Sequence, residues 1–421
     1  MPGGGFRFRS RVPSVSERRV ALRVTLDAER MIRRGHPWVY GQAIRRQSHP
    51  GKPGDLAAIF DHRNRFLAVG LYDPTSPIRV RVLQARRPAP IDRAWYEARM
   101  QEALKLREGL AARTNGMRLI HGENDGLPGL VLDRYDTVLV LKLYTAAWAP
   151  HLEDVLGAIL EVHAPKRVVL RWSRGVREQA STLGARRDGA VIYGPPLQGP
   201  VFFEEDGLRF EIDPVRGQKT GFFLDQRDNR TAVSSMCRHG AVLDVFAYTG
   251  GFSVAAAKGG AREVVSVDLS REALDAAARN MQLNRRARRV PAAEHYTIAG
   301  DAFSVLAALR KQRRQFDVVL VDPPSFATSQ REAASALAGY ARLTKLALGV
   351  LRSGGILVQS SCSGQVPAEE FFTAIYRAAA QAGWRLNDVA RTGHPVDHPV
   401  SFREGAYLTC LIAVAALRKL Q

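Results

Sequence analysis

The feature that most constrains the fold is an alternation of apolar runs and amphipathic segments that begins after residue 200. Short runs rich in Val, Leu and Ile are separated by helix-like stretches such as 271–284 and 302–312. The candidate strands span 241–248, 263–270, 295–301, 316–324 and 354–363. This alternation predicts an α/β fold with a doubly wound parallel sheet. Ligands of such sheets bind beyond the carboxyl ends of the strands, so residues at those ends are the candidates for function.

The chain before residue 200 predicts two further domains. Residues 20–88 read as a β-rich domain and 89–198 as a central α/β domain, which leaves 199–421 for the sheet domain. The expected elements are a strand at 20–26, a hairpin at 53–73, a strand at 76–83, a helix at 92–113, two strands within 126–144, a helix at 151–164 and a strand at 167–173. The apolar face of the first helix is assigned to Trp95, Ala98, Met100, Ala103, Leu104 and Leu106.

The chain is strongly basic, with 61 Lys and Arg against 41 Asp and Glu and a formal charge of +20. Such an excess favours an anionic partner such as RNA, although a general preference for arginine in the source genome would give the same count. Residues 1–19 are predicted to be a disordered basic arm. Phosphate contacts are expected from the arm, from Arg79 and Arg81 in the 76–83 strand, and from the runs 285–289 and 310–314, which fit a solvated helix face equally well.

Three cysteines, Cys237, Cys362 and Cys410, are too few and too far apart for a disulfide scaffold or a zinc pair. We therefore expect no metal and a reducing compartment. The first residues lack the apolar core of a signal peptide, and no run approaches eighteen apolar residues. The sequence predicts a cytoplasmic protein that makes no membrane contact.

A glycine pair follows the first strand of the sheet domain. Gly250 and Gly251 permit a tight strand-to-helix turn and close approach of a ligand. The segment lacks a GxGxxG pattern and a Walker lysine, which favours a cationic cofactor without phosphates over a dinucleotide. Asp244 is expected to accept hydrogen bonds from that ligand. An ordinary strand-to-helix turn is the alternative.

Acids stand at the ends of the next three predicted strands. Asp268 is placed to hold both hydroxyls of a ribose, and Asp301 to meet an adenine edge. Asp322 ends the fourth strand and begins a stiff loop, DPPSF, in which Phe326 can hold a planar base. A rigid turn without a ligand is the alternative for that loop.

Cys362 follows the fifth strand in the run QSSCSG and thus lies on the same edge as Asp322. Its polar surroundings favour a nucleophile, whereas Cys237 and Cys410 are interpreted as core residues. A thiol paired with an acid suits cytosine, because carbon 5 accepts a methyl group only after a thiolate adds to carbon 6. A carboxyl group near N3 stabilises that intermediate, and a base must then remove the carbon 5 proton.

Several segments together resemble the bacterial 23S ribosomal RNA cytosine-C5 methyltransferases of the RlmI/RlmO type. They are RGHPWVYGQAI (34–44), GQKTGFFLDQRDNR (217–230), DVFAYTGGFSV (244–254), VDPPSFA (321–327), SSCS (360–363) and HPVDHPVSFREGAYL (394–408). The resemblance keeps its order over nearly everything after residue 20, and the 217–230 block is its most specific part.

The resemblance implies an N-terminal PUA RNA-binding domain, a central α/β domain and a C-terminal Rossmann-like methyltransferase domain. It implies Cys362 as nucleophile with Asp322 as its partner, S-adenosyl-L-methionine as cofactor, and 23S rRNA or a large-subunit assembly intermediate as partner, and it allows for a homodimer. The implied cofactor contacts are Asp244, Phe246, Tyr248, Thr249, Gly250, Gly251, Asp268, Leu269, Asp301, Ala302 and Asp322. The predicted RNA contacts are Arg79, Arg81, Lys219 and Phe326.

One position departs from related enzymes. In another group of cytosine-C5 RNA methyltransferases a second cysteine follows the D-x-P loop, where this chain has Ser325. Release of the enzyme therefore needs a base that the sequence does not identify. Two other functions stay open: methylation of a guanine nitrogen, which needs no thiol, and a non-catalytic role as an RNA-binding ribosome-assembly factor.

Overall fold

The computed structural model describes residues 19–286, 290, 293–327 and 329–418. These residues form two compact units. The first holds the residues up to Val201 together with Ile212–Gly221 and Asp397–Phe402, and the second holds the rest. The predicted arm, apart from Arg19, and residues 287–289 of the basic run lie outside the described residues. The division into three domains at residues 20–88, 89–198 and 199–421 stays a prediction.

The first unit begins with a six-stranded sheet and a short helix, α1. The elements are β1 Val20–Val24, α1 Leu26–Arg33, β2 Trp38–Tyr40, β3 Ile44–Gln47, β4 Leu56–Phe60, β5 Phe66–Tyr72 and β6 Ile78–Ala85. The strand order is β2-β6-β5-β4-β1-β3, and β4 and β5 form the predicted hairpin. Sequence reasoning predicted no helix here, because eight residues are too few to show a repeated apolar period. Its start is nevertheless marked by Thr25, whose hydroxyl accepts the Ala28 N–H.

A five-stranded sheet with three helices completes the core of the first unit. The elements are α2 Arg93–Lys105, β7 Gly116–His121, β8 Leu130–Tyr135, β9 Val138–Leu143, α3 Leu152–His163, β10 Arg167–Trp172, α4 Arg177–Thr182 and β11 Val191–Tyr193. The strand order is β11-β10-β9-β8-β7. The central α/β pattern is thus confirmed, with β7 and β11 added.

Helix α2 ends earlier than the predicted limit of 113, and part of its predicted face was wrong. Tyr96, Met100 and Ala103 are buried, whereas Leu106 is 55% exposed. The cause is Arg107, whose buried guanidinium donates to the Ala103 carbonyl at 2.6 Å. A side chain that satisfies a carbonyl in the last turn competes with continued helix formation.

The second unit contains a hairpin and a seven-stranded sheet flanked by helices. The elements are β12 Val201–Glu205, β13 Leu208–Ile212, α5 Arg227–Ser234, β14 Ala241–Val245, α6 Gly251–Lys258, β15 Glu263–Asp268, α7 Arg271–Arg286, β16 Glu294–Ala299, α8 Ala302–Lys311, β17 Phe316–Val321, α9 Ala333–Leu348, β18 Leu351–Ser361, α10 Ala368–Gln381, β19 Trp384–Thr392 and β20 Thr409–Leu417. The order of the large sheet is β16-β15-β14-β17-β18-β20-β19. The five predicted strands are confirmed, and β19 and β20 extend the sheet.

The register of this sheet positions the candidate site. Strands β14 to β18 run parallel, and Val245 of β14 pairs with Val267 of β15 and Val321 of β17. Their carboxyl ends therefore meet along one edge. The central strands are buried on both faces, which is why they read as continuous apolar runs. In the part of the chain that the structure describes, no helix combines the length and apolarity needed to cross a bilayer.

Candidate active site

The turn after β14 has a conformation that depends on glycine. Gly250 has φ +77°, and a Cβ built there would lie 2.8 Å from the Ala277 Cβ. Phe246 and Tyr248, neither of them glycine, also have left-handed φ values of 68° and 49°. Such backbone strain is typical of ligand-binding turns. The Thr249 hydroxyl is buried and has no hydrogen-bond partner among the described residues, so it can serve a ligand.

Asp268 ends β15 and is fixed by two backbone amides. Its carboxylate oxygens accept the N–H of Tyr248 at 2.9 Å and the N–H of Ser270 at 2.9 Å. Each carboxylate oxygen can accept further hydrogen bonds. The half-buried carboxylate therefore fits the two hydroxyls of a ribose, beside Leu269, which is 78% exposed.

Asp301 is exposed and caps helix α8. Its Oδ1 accepts from the backbone N–H and from the hydroxyl of Ser304, each at 3.0 Å. Ala302, the next residue, is 5% exposed. The cap gives this aspartate a local structural role in addition to the predicted contact with adenine.

Asp244 differs from the expectation for a ligand acceptor. It lies inside β14, is 1% exposed, and accepts a hydrogen bond from the Ser253 hydroxyl at 2.6 Å. The hydroxyl of Ser253 also contacts that of Ser266, which in turn contacts His295. Burial raises the pKa of Asp244 to about 6. The expected contact with a cationic ligand stays a prediction, and in this structure the carboxyl group joins β14 to helix α6 beside the glycine turn.

The segments after β17 and β18 bring an acid and a thiol together. The Sγ of Cys362 lies 3.9 Å from Oδ1 of Asp322, and both side chains are half-buried. The same Oδ1 accepts from the Gln226 side-chain amide at 2.9 Å. The oxygen of that amide accepts from the Asn229 Nδ2 at 2.6 Å, which fixes the amide with its NH₂ group toward Asp322. The thiol is thus adjacent to an oriented proton acceptor.

The loop after Asp322 is tied to the loop that carries the thiol. The Ala327 carbonyl accepts from the hydroxyl of Ser325 at 2.8 Å and from that of Ser363 at 3.1 Å. Phe326 is half-buried, with its ring centroid 5.0 Å from that of Tyr340. One part of this ring therefore packs against the protein interior. Only the remaining part of the ring can contact a nucleobase.

The other two cysteines are core residues, as interpreted from the sequence. Cys237 and Cys410 are both fully buried. Burial raises the pKa of each thiol to about 12, so neither forms a thiolate near neutral pH. Among the three cysteines, Cys362 alone is accessible.

Sequence reasoning missed the side chains that position the acid. Gln226 and Asn229 belong to the 217–230 block, and Asn229 is contacted by the Thr392 hydroxyl. In the same block Asp225 accepts from the phenol of Tyr407 at 2.9 Å. The sequence did contain a signal, because many polar residues directly follow the apolar run FFL. Polar side chains next to a buried run are buried at little cost only when they pair with one another, so the run indicated a hydrogen-bonded network.

The predicted RNA contacts of the first unit have unequal exposure. Arg81 is 8% exposed, and its guanidinium donates to the Ile78 carbonyl and packs against Gly129. The strand turns this side chain inward, and its expected contact with RNA stays a prediction. Arg79 is half-buried and donates to the Pro74 carbonyl. Lys219 is half-buried in a left-handed conformation with φ 52°.

Comparisons with known proteins agree with this architecture. Residues 118–401 match the family model of S-adenosylmethionine-dependent methyltransferases, and residues 22–85 match a PUA-like domain. A ribosomal RNA large subunit methyltransferase of Deinococcus radiodurans is 46% identical over 94% of this chain and 97% of its own length. Ribosomal RNA large subunit methyltransferase I of Citrobacter koseri is 36% identical over 92% of this chain and 98% of its own.

Among solved structures, the fold resembles that of SMU.776, which was crystallised in complex with SAH. The TM-score is 0.80 at 20% identity, over 94% of this chain and 99% of that one. At this identity the likeness concerns the fold. The extent of the family match and the near full-length relatives give the assignment. The chain belongs to the S-adenosylmethionine-dependent methyltransferase family that includes these ribosomal RNA large subunit enzymes, and it carries a PUA-like domain before the methyltransferase part.

Proposed function

We propose that the protein methylates carbon 5 of a cytosine in 23S rRNA through a covalent adduct with Cys362. The observation that carries the proposal is the 3.9 Å separation of the Cys362 Sγ from Oδ1 of Asp322 at the carboxyl edge of a methyltransferase sheet. The names of relatives at 36% and 46% identity support large-subunit rRNA as the substrate class.

The strand ends fit S-adenosylmethionine. Asp268 is a fixed diol acceptor, and the Thr249 hydroxyl, which has no partner within the described part of the chain, lies in the strained turn beside it. Asp301 and Ala302 would border the adenine, and Phe246, Tyr248, Gly250 and Gly251 would line the cofactor along the turn. When bound, S-adenosylmethionine supplies the electrophilic methyl group that carbon 5 accepts.

Asp322 can first accept a proton from the thiol and then donate it to the substrate. Its Oδ1 accepts the proton of the Cys362 thiol, the thiolate adds to carbon 6 of cytosine, and the carboxyl group then donates that proton to N3. The Gln226 amide donates to the same oxygen and holds the carboxylate in place. The direct contact thus lets the same proton leave the thiol and reach N3.

RNA recognition would use the basic excess of the chain. The formal charge of +20 favours phosphate contacts whose strength falls with added salt. Arg79 and Lys219 are the partly exposed cations of the predicted set, and the open part of Phe326 would face the target base. The partner would be 23S rRNA or a large-subunit assembly intermediate, and a homodimer stays a prediction.

The test is to trap the intermediate. A 23S rRNA transcript that contains 5-fluorocytosine should form a denaturation-resistant complex with the wild-type protein in the presence of S-adenosylmethionine, because fluorine cannot leave as a cation. Peptide mapping of the complex should find the nucleotide on Cys362. Methylation of unsubstituted rRNA without any trapping by the fluorinated transcript would contradict the cytosine-C5 mechanism and favour a guanine nitrogen. The absence of both reactions would favour a non-catalytic RNA-binding role.

A further inference from the structure

The proposed reaction needs a second proton acceptor. After methyl transfer, carbon 5 carries both a methyl group and a proton, and that proton must leave before the thiol can. Asp322 is engaged at N3 during this stage. Ser325 is a poor candidate, because its hydroxyl donates to the Ala327 carbonyl and an alcohol is a weak base by itself.

A second acid directly precedes the residue that orients Asp322, and it is paired with a phenol. Asp225 is 2% exposed, and its Oδ2 accepts a hydrogen bond from the Tyr407 hydroxyl at 2.9 Å. The phenol donates a hydrogen bond to the carboxylate. Its oxygen still carries lone pairs, which can accept a proton from the substrate. Tyr407 is half-buried, whereas the carboxylate is enclosed.

Two separate chain segments hold this pair beside the catalytic residues. Asp225 directly precedes Gln226, whose amide contacts Asp322. On the other side, Tyr407 adjoins Gly364, two residues after Cys362: a Cβ built at Gly364 would lie 3.8 Å from the Tyr407 Cβ and 3.5 Å from the Ala406 carbonyl oxygen. Two residues span about 7 Å of chain at most, so the backbone of Tyr407 lies next to the short loop that carries the thiol.

His394 fixes the position of the phenol. Its Nε2 accepts the backbone N–H groups of Tyr407 at 3.2 Å and of Leu408 at 3.1 Å. The imidazole ring also meets the Tyr407 ring edge-on, with centroids 4.5 Å apart. Through these contacts His394 orients Tyr407.

We infer that Tyr407 and Asp225 together form the base that removes the proton from carbon 5; this inference rests on the proposed function. The C5–H bond breaks, and the proton goes to the phenol oxygen as the phenol passes its own proton to Oδ2 of Asp225. The electron pair of that bond forms the C5=C6 double bond and expels the sulfur of Cys362 from carbon 6. N3 returns its proton to Asp322, which passes it to the departing thiolate, and Asp225 loses its proton to solvent.

The test is Tyr407→Phe, which keeps the ring and removes the oxygen. With an unsubstituted 23S rRNA transcript and S-adenosylmethionine labelled in the methyl group, this variant should accumulate a denaturation-resistant protein–RNA adduct that carries the label. Turnover should fall about 10²-fold or more, the usual contribution of a general base. Asp225→Asn should accumulate the same adduct. Titration with S-adenosylmethionine should give wild-type affinity for both variants if they are folded.

Tyr296→Phe is the matched control, because Tyr296 also donates to a carboxylate, that of Glu294 at 3.0 Å, but on the exposed strand β16. It should release its product as the wild type does. The inference is overturned if Tyr407→Phe releases product at the wild-type rate, or if it forms less adduct and less product in parallel, as a merely structural defect would. Failure of the proposed function looks different: the wild type itself would not be trapped by the 5-fluorocytosine transcript.

Discussion

Asp244 and Asp322 lie near the ends of neighbouring strands of one sheet and differ in burial and in hydrogen-bond partners. Asp244 pairs with Leu320 inside the ladder, whereas Asp322 is the first residue beyond β17. Asp244 is 1% exposed and bound to Ser253, and Asp322 is half-buried and contacts Gln226 and Cys362. A small shift relative to the strand end thus separates a buried support from a group that can reach a substrate.

The cysteines repeat this difference. Cys410 pairs with Ser360 inside the ladder of β18 and β20, and it is fully buried. Cys362 lies just beyond the end of β18 and is half-buried. We call Asp322 and Cys362 the rim pair and Asp244 and Cys410 the interior pair. Each pair consists of one aspartate and one cysteine. A difference in function between the two pairs is therefore attributed to their positions relative to the strand ends.

The largest contrast is expected between the thiols. Cys362→Ala should reduce methyl transfer by more than about 10⁴-fold, because a covalent step cannot be replaced by binding. Cys410→Ala should keep the transfer and lose about 1 kcal/mol of stability from the small cavity. Single-turnover transfer of labelled methyl groups measures the first effect, and denaturant unfolding measures the second. Robust methylation by Cys362→Ala would remove the functional distinction between the two pairs.

The acids should differ next. Asp322→Asn should slow adduct formation with the 5-fluorocytosine transcript about 10²- to 10³-fold, because an amide neither takes the thiol proton nor donates one to N3. Asp244→Asn keeps an oxygen for Ser253 and should form the adduct within about threefold of the wild-type rate. Equal slowing in the two variants would mean that the strand-end position does not separate their roles.

The interior acid should appear in the pH dependence of stability. Burial raises the pKa of Asp244 from 3.8 to about 6, so the folded state binds more protons than the unfolded state between these values. The favourable contribution is present below pH 4 and is lost as the pH rises through 6. The corresponding change is about 3 kcal/mol, from two pKa units at about 1.4 kcal/mol each.

A difference measurement isolates this effect. His295, in the same network, has its pKa lowered to about 4 by burial, and its contribution changes in the opposite direction over this range. Asp244→Asn cannot titrate, so its stability relative to the wild type should rise between pH 4 and pH 7, as followed by urea unfolding at each pH. A relative stability that is flat over this range would show that Asp244 has an ordinary pKa.

The smallest expected effect concerns the cofactor. Asp268→Ala removes the proposed acceptor for the ribose hydroxyls and also frees the Tyr248 and Ser270 amides, so affinity for S-adenosylmethionine should fall about 10- to 100-fold. Calorimetric titration measures the loss, and the exposed Asp275 on α7 provides a control as Asp275→Ala. Affinity near the wild-type value would remove Asp268 from the cofactor site.

Some of this could be predicted from the sequence because local patterns decide it. The apolar runs of β14 to β18 and the helices between them fix the sheet, since strands buried on both faces must be apolar along their whole length. That topology alone brings Asp322 and Cys362, forty residues apart, to one edge. The short helix α1 was missed, because a helix of eight residues is too short to show a clear apolar period. The early end of α2 was missed, because it depends on a buried arginine that the apolar pattern does not reveal.

The tertiary structure decided how each polar side chain is used. In the sequence, Asp244 and Asp322 occupy the same kind of position, and the ladder register turns one inward and leaves the other at the edge. Tyr407 and Asp225 are separated by 182 residues and meet only because the segment between β19 and β20 contacts the segment before α5. Apolar periodicity is a local property that a sequence displays, whereas the pairing of polar groups depends on distances that exist only after the chain has folded.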